Sequence, residues 1–165
     1  MDFIYGKDVP IHIRDDWLKQ TEQENIYRYC QLASYTYGEQ DETDLAPTGL
    51  SAEIKSSELI YRFLFEKTQP IVPDLCLVRM YVNLFAPNEV PYYHTDADQG
   101  TTFLYYPHTE MWTPNFLGQT EFYVNNRSYM VSPEPNRLVF FNAEILHRAT
   151  SFRNKHRFTV ALKYE

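Results

Sequence analysis

Apolar and polar positions divide this chain into two textures. From Asp15 to Tyr37, Ile26, Tyr29, Cys30, Ala33 and Tyr37 fall on one helical stripe, which predicts an amphipathic helix with Asp15 or Asp16 as cap. "SSELIYRFLFEK", residues 56–67, predicts a second helix capped by Ser56 or Ser57, with Leu59, Ile60, Phe63 and Leu64 inward. The acidic stretch between them, "GEQDETDLAPTG" (38–49), reads as an exposed loop. After Pro70 and Pro73 the pattern changes to short β-branched and aromatic runs split by turn residues. These are "LCLVRMYVNLF", "VPYYHTD", "TTFLYY", "TEFYV", "SYMV", "RLVFFN", "HRAT" and "RFTVALKY". Eight such strands predict a sandwich or jelly roll. The expected architecture is mainly β (α+β), one domain over 1–165: helical support in 1–70, and a jelly-roll core (a double-stranded β-helix) in 71–165. Helices placed before the sheet would cover its outer face.

Composition narrows the class. A chain of 165 residues fits a single domain that needs no disulfide or structural metal to complete its core. Cys30 and Cys76 lack CxxC spacing and read as reduced core cysteines. "MDFIYGKDVPIHIRDDW" has neither the basic nor the apolar region of a secretory signal, and no apolar run approaches a membrane span. The expectation is a cytoplasmic protein with no membrane partner. A net charge of −7 disfavours nucleic acid, which is bound through clustered Lys and Arg. The 14 tyrosines suit strand pairing and a half-polar pocket.

The candidate chemistry begins in "PYYHTDADQG", residues 91–100. Strand side chains alternate, so His94 and Asp96 would face the same way and converge on one ion. Alone, the HxD pair carries little, because short motifs match freely and a solvated turn explains them as well. His147 lies 53 residues downstream, at the start of a late strand that a jelly roll can bring alongside. Two histidines and one carboxylate on one face of a metal leave its other face open, as in non-haem iron(II) oxygenases. Arg157 follows ten residues later, and in "RFTV" it shares a face with Thr159. Such an arginine is either an outward residue on an edge strand, with "RNKH" a basic turn, or an inward fork for a carboxylate. Its spacing from the HxD pair and the second histidine favours the inward reading.

"HTD", His147 and "RFT", in this order, resemble the 2-oxoglutarate- and iron(II)-dependent oxygenases. "RMYVNLFAPNEVPYYHTD", "FLYYPHTEMWTPNFLGQTEFY" and "PEPNRLVFFNAEILHRAT" are similar to stretches of their prolyl 4-hydroxylase-like branch. The resemblance covers about 75–165. It implies that His94, Asp96 and His147 bind iron, and that Arg157, helped by Thr159, takes the far carboxylate of 2-oxoglutarate. Tyr106 stands where the family often has a tyrosine on the same co-substrate, and Asn83 and Tyr81 lie on a strand that often adds a polar contact. Phe85 departs from the pattern, standing where a co-substrate tyrosine is common, as does the single glycine of "GQTEF". Collagen-type enzymes use lysine at the place of Arg157, which points to a microbial or oxygen-sensing-like subgroup. Asp96 argues against a halogenase, in which a small residue would stand there.

The resemblance therefore implies a dioxygenase that hydroxylates a C–H bond and releases succinate and CO2. Its cofactors would be Fe(II), 2-oxoglutarate and O2, with ascorbate a further candidate. The substrate would be a peptide or protein, a prolyl residue being the family's suggestion, or a small molecule. The alternative is a jelly-roll binding module with a vestigial or structural metal and no turnover. A nucleic-acid dealkylase of the same superfamily is disfavoured by charge. Loops 38–49 and 108–118 are expected to form the substrate rim. His108 and Glu110 read as solvated loop residues or substrate contacts rather than a second metal site, Trp112 as core or, second, a lid anchor, and His12 and His156 as surface residues. Asp98 reads as a turn residue before Gly100, and the direction of Glu121 depends on register.

Overall fold

The computed structural model describes residues 2–4 by backbone pairing alone, and residues 9–38 and 45–165 in full. The element order is β1 (Asp2–Ile4), β2 (Ile11–Arg14), α1 (Gln20–Leu32), β3 (Thr36–Tyr37), β4 (Leu50–Glu53), α2 (Leu59–Thr68), β5 (Leu77–Phe85), β6 (Thr101–Tyr106), β7 (Thr120–Val124), β8 (Arg127–Val131), β9 (Arg137–Asn142), β10 (Leu146–Ala149) and β11 (Arg157–Tyr164). Eight strands form one antiparallel sheet in the order β1-β2-β9-β6-β11-β5-β4-β3, and β10-β7-β8 form a second, smaller sheet. The two sheets together make the expected jelly roll.

Alternation on the large sheet builds two cores at once. Met80, Val82, Phe103, Tyr105, Phe158, Val160, Leu162 and Tyr164 point to its outer face, where Ile26 and Cys30 of α1 and Leu64 of α2 seal them from water. Ile11, Ile13, Leu104, Tyr106, Val139 and Phe141 point to its inner face and meet Phe122 and Val131 of the small sheet. Burying one such side chain contributes about 1.5–3 kcal/mol. With both faces covered, β11 is buried along nearly its whole length, which is why "RFTVALKY" reads as an almost unbroken apolar run. A glycine closes the turn before β6. Gly100 has φ +104°, and a Cβ there would lie 2.1 Å from the Tyr164 carbonyl oxygen.

The helical segment is more mixed than its periodicity implies. β1 to β4 all come from residues before 54, so this part of the chain extends the sheet as well as covering it. α1 is shorter than the 15–37 stripe. Asp15 does not cap it but forms a two-point ion pair with Arg137 (2.6 and 3.0 Å), and Asp16 adopts φ 49°. The helix start is instead closed by Glu22, whose carboxylate accepts the Lys19 N–H at 2.9 Å. Tyr37 leaves the helical stripe to become an exposed residue of β3. In α2, Leu64 is buried and Ile60 and Phe63 are half-buried. Leu59 is the exception at 88% exposed, because it is the first helical residue and projects beyond the sheet. Glu58, not a serine, occupies the cap position. Cys30 is buried as expected and Cys76 is exposed. Of the acidic loop, residues 39–44 lie outside the described residues.

Candidate functional site

"VPYYHTD" does not form a ladder strand. Pro91 offers no N–H, and the segment pairs only at His94, through an isolated antiparallel bridge to His147. The two residues exchange both backbone hydrogen bonds, each 2.9 Å, and Asp96 N–H donates to the Ala143 carbonyl at 2.9 Å. This narrow pairing sets His94 and Asp96 beside β10, which carries His147. One ligand atom from each of the three lies within 4.8 Å of the others. The Nε2 atoms of His94 and His147 stand 3.7 and 3.6 Å from the two Asp96 oxygens, too long for hydrogen bonds and within reach of a shared ion.

The surroundings prepare these atoms as ligands. His147 Nδ1 lies 2.8 Å from the Ile145 carbonyl and His94 Nδ1 lies 3.2 Å from the Tyr92 carbonyl, which fixes a tautomer with Nε2 as acceptor. Burial pushes His147 down to about 4, against the pull of Asp96, so the imidazole is neutral near pH 7. Burial alone would raise Asp96. His147, Lys163 and a hydrogen bond from Thr102 outweigh it and hold the carboxyl below its ordinary range. Two imidazole nitrogens and one carboxylate are a donor set that fits a divalent first-row metal.

The triad lies at one part of a cavity of about 210 Å³ between the sheets, and Arg157 lines another. Arg157 is 1% exposed. Its Nε donates to the Gly118 carbonyl at 2.9 Å, Nη1 to Thr159 Oγ1 at 2.8 Å and Nη2 to Thr120 Oγ1 at 2.9 Å. All three acceptors are neutral, and among the described residues no carboxylate meets the guanidinium. Burial lowers its pKa, an effect that Tyr106 opposes. Gly118 serves directly here: its φ is +88°, and a Cβ would lie 2.4 Å from the Phe152 ring, so only glycine presents that carbonyl to Arg157.

The other expected contacts fall into two layers. Tyr81, Asn83, Phe85 and Thr159 line the cavity, Asn83 directly opposite Thr159 in the β5–β11 ladder. Tyr106 stands behind it, fully buried, with its hydroxyl 2.6 Å from Thr120 Oγ1 and the Arg157 guanidinium 5.4 Å from its ring centroid. Thr120, Thr102 and Lys163 were not singled out from the sequence. Lys163 had a legible signal, because it shares the inward parity of Arg157 and Thr159. Its ammonium lies 2.9 Å from Asp96 Oδ1, and Thr102 donates to Oδ2 at 2.5 Å. Burial lowers the Lys163 pKa, but Tyr81 and Asp96 more than reverse this and raise it.

Several side chains differ from their sequence reading. His108 is not a rim residue: it is 3% exposed, accepts the Phe158 backbone N–H at 3.0 Å, and packs against Tyr27 and Phe152. Trp112 is a half-buried loop residue whose indole N–H donates to the Leu117 carbonyl at 2.7 Å, not a core residue. His12 is half-buried and stacks on Phe140, and His156 is exposed. Register turns Glu121 outward, where it accepts from Tyr93 at 2.8 Å and Arg148 at 2.7 Å. Among the described residues of the two expected rim loops, only Thr48 lines the cavity.

No protein-family model and no curated protein matches the sequence. Among solved structures, it superposes on a prolyl hydroxylase from Trichoplax adhaerens in complex with a hypoxia inducible factor oxygen degradation domain peptide fragment. That match has a TM-score of 0.78 and 15% identity, over 94% of this chain and 83% of that one. A Pseudomonas putida prolyl-4-hydroxylase matches with a TM-score of 0.75 and 13% identity, over 95% and 92%. HygX from Streptomyces hygroscopicus, with nickel, 2-oxoglutarate and hygromycin B bound, matches with a TM-score of 0.75 and 10% identity, over 95% and 83%. The likeness at these identities is one of architecture, and on that ground the chain has the jelly-roll fold that these proteins share.

Proposed function

We propose that the protein is an Fe(II)- and 2-oxoglutarate-dependent dioxygenase that hydroxylates a C–H bond. One observation carries the reading: a His-Asp-His donor set and a buried arginine that meets no carboxylate among the described residues line the same cavity. His94, Asp96 and His147 would hold iron(II), and Arg157 would take the far carboxylate of 2-oxoglutarate. What bound iron(II) supplies is dioxygen activation coupled to decarboxylation, with one oxygen atom entering succinate and the other the substrate C–H bond.

The chain's own contribution is positioning and dryness. Thr159 and Thr120 hold the guanidinium in place, and Asn83 offers an amide beside Thr159. Phe85 offers no hydrogen bond, so the carboxylate depends on Arg157 and its threonines. Phe85, Pro91, Leu104 and Ala149 give the cavity apolar wall, which limits water near a reactive centre. The substrate is a prolyl residue of a peptide in this reading. The peptide complex of the Trichoplax prolyl hydroxylase supports it, while the hygromycin B complex of HygX supports a small molecule as the competing class. Thr48 and the segment around Pro91 are the proposed substrate rim.

The test is anaerobic addition of iron(II) and 2-oxoglutarate to wild type, His94→Ala and Arg157→Ala, reading the weak visible band of a keto acid chelated to iron(II). The reading requires a band in wild type, none in His94→Ala, and a much higher 2-oxoglutarate requirement in Arg157→Ala. No band in folded, metal-loaded wild type would turn the assignment to a binding module without turnover. Lys163 on the Asp96 carboxylate is the observation that favours this rival, and succinate formation separates the two.

A further inference from the structure

Lys163 is a lysine in the wall of a metal-type cavity, and neither the fold nor the expected chemistry asks for it. It stands on β11 at the inward parity of Arg157 and Thr159, with its side chain 20% exposed, against 3% for Asp96. Its Nζ lies 2.9 Å from Asp96 Oδ1, while Thr102 donates to Oδ2 at 2.5 Å. Both oxygens of the carboxylate therefore already have donors, and any ion must share Asp96 with them. Among the described residues lining the cavity Asp96 is the one carboxylate, set against Arg157 and Lys163, so this part of the wall is cationic although the chain carries −7.

We propose that Lys163 is a positioning residue that tunes the triad electrostatically, weakening its hold on a divalent cation and strengthening its hold on an anionic keto acid. The inference rests on the triad reading above. A fixed positive charge beside the ligand carboxylate repels a dication and attracts a dianion, and the low dielectric of a buried site enlarges both effects. Asp96 is also held from the side: with Lys163 on Oδ1, the carboxylate keeps a single orientation whether or not it is ligating. A lysine kept only to satisfy a buried acid would have a different signature. Its removal would loosen Asp96 and weaken metal and anion together.

The test measures Mn(II) affinity from the EPR signal of the free ion, then 2-oxoglutarate affinity at saturating Mn(II), in wild type, Lys163→Met, Lys163→Arg and His147→Ala. Lys163→Gln replaces the methionine variant if that one does not fold. Neutral variants should bind Mn(II) about tenfold tighter and 2-oxoglutarate about tenfold more weakly, from charge alone. Lys163→Arg should move both affinities back toward wild type. The proposal is overturned unless the two affinities move in opposite directions. Wild-type Mn(II) affinity in His147→Ala would instead overturn the triad reading, and the proposal with it.

Discussion

Replacing Arg157 by methionine should leave the fold nearly as stable while removing co-substrate affinity. Three hydrogen bonds tie the guanidinium to Gly118, Thr159 and Thr120. At about 1.5–3 kcal/mol for a bond involving a charged group, they contribute roughly 4–9 kcal/mol gross. Against that stands the desolvation of a fully buried cation that meets no carboxylate among the described residues, itself several kcal/mol. The two nearly cancel, so Arg157→Met should change stability by no more than about 2 kcal/mol, or about 8 °C in melting temperature for a chain of this size. Ligand binding has no such cancellation. A buried carboxylate left without its cation loses about 2–5 kcal/mol, which is about 30-fold to several thousand-fold in affinity. Thermal melts of the Mn(II)-loaded protein read both quantities. At a hundred times its Kd, 2-oxoglutarate should stabilise wild type by about 2.7 kcal/mol, a rise of about 5–10 °C. The variant should melt close to wild type and rise by no more than about 3 °C at the same concentration. A full ligand shift in Arg157→Met would refute the reasoning, as would a melt that collapses while affinity survives.

Two further outcomes are expected. Glu121→Ala should weaken Co(II) binding about tenfold, because Glu121 ties Tyr93 and Arg148, each one residue from a histidine of the proposed triad, to one another; an unchanged Co(II) titration would remove that role. His108 should make the protein acid-sensitive. Burial, with Lys155 and Arg157, pushes it down to about 3, so as pH falls from about 6.5 the unfolded chain takes up a proton that the folded chain refuses. Stability should therefore fall between about pH 6.5 and 3, and urea denaturation of His108→Gln should show a shallower fall; an equal slope in both would rule His108 out as the cause.

The catalytic-type strands were legible because local pattern and tertiary environment agree there. "TTFLYY", "RLVFFN" and "RFTVALKY" alternate or run apolar, and each became the strand expected. Inward parity in "RFT" was enough to bring Arg157 and Thr159 to one cavity. Two misreadings share one physical origin, a partner far away along the chain. Asp15 looks like a cap until Arg137 claims it, and His108 looks solvated until the Phe158 N–H needs an acceptor. "IHIR" alternates, but four residues are too few for a period to be told from chance. "VPYYHTD" had the composition of a strand, and the proline and a single bridge decided otherwise.

That bridge has a chemical consequence. His94 and His147 are direct opposites in a hydrogen-bonded antiparallel pair, so their backbones stand at the separation peptide geometry dictates, about 5.5 Å between Cα atoms. The histidine part of the proposed triad would thus act as a chelate of fixed bite, its span set by main-chain atoms that every sequence possesses. Side chains around it can be exchanged without stretching the bite. Inserting or deleting one residue between Pro91 and His94 would turn the imidazole to the opposite face and open the chelate entirely.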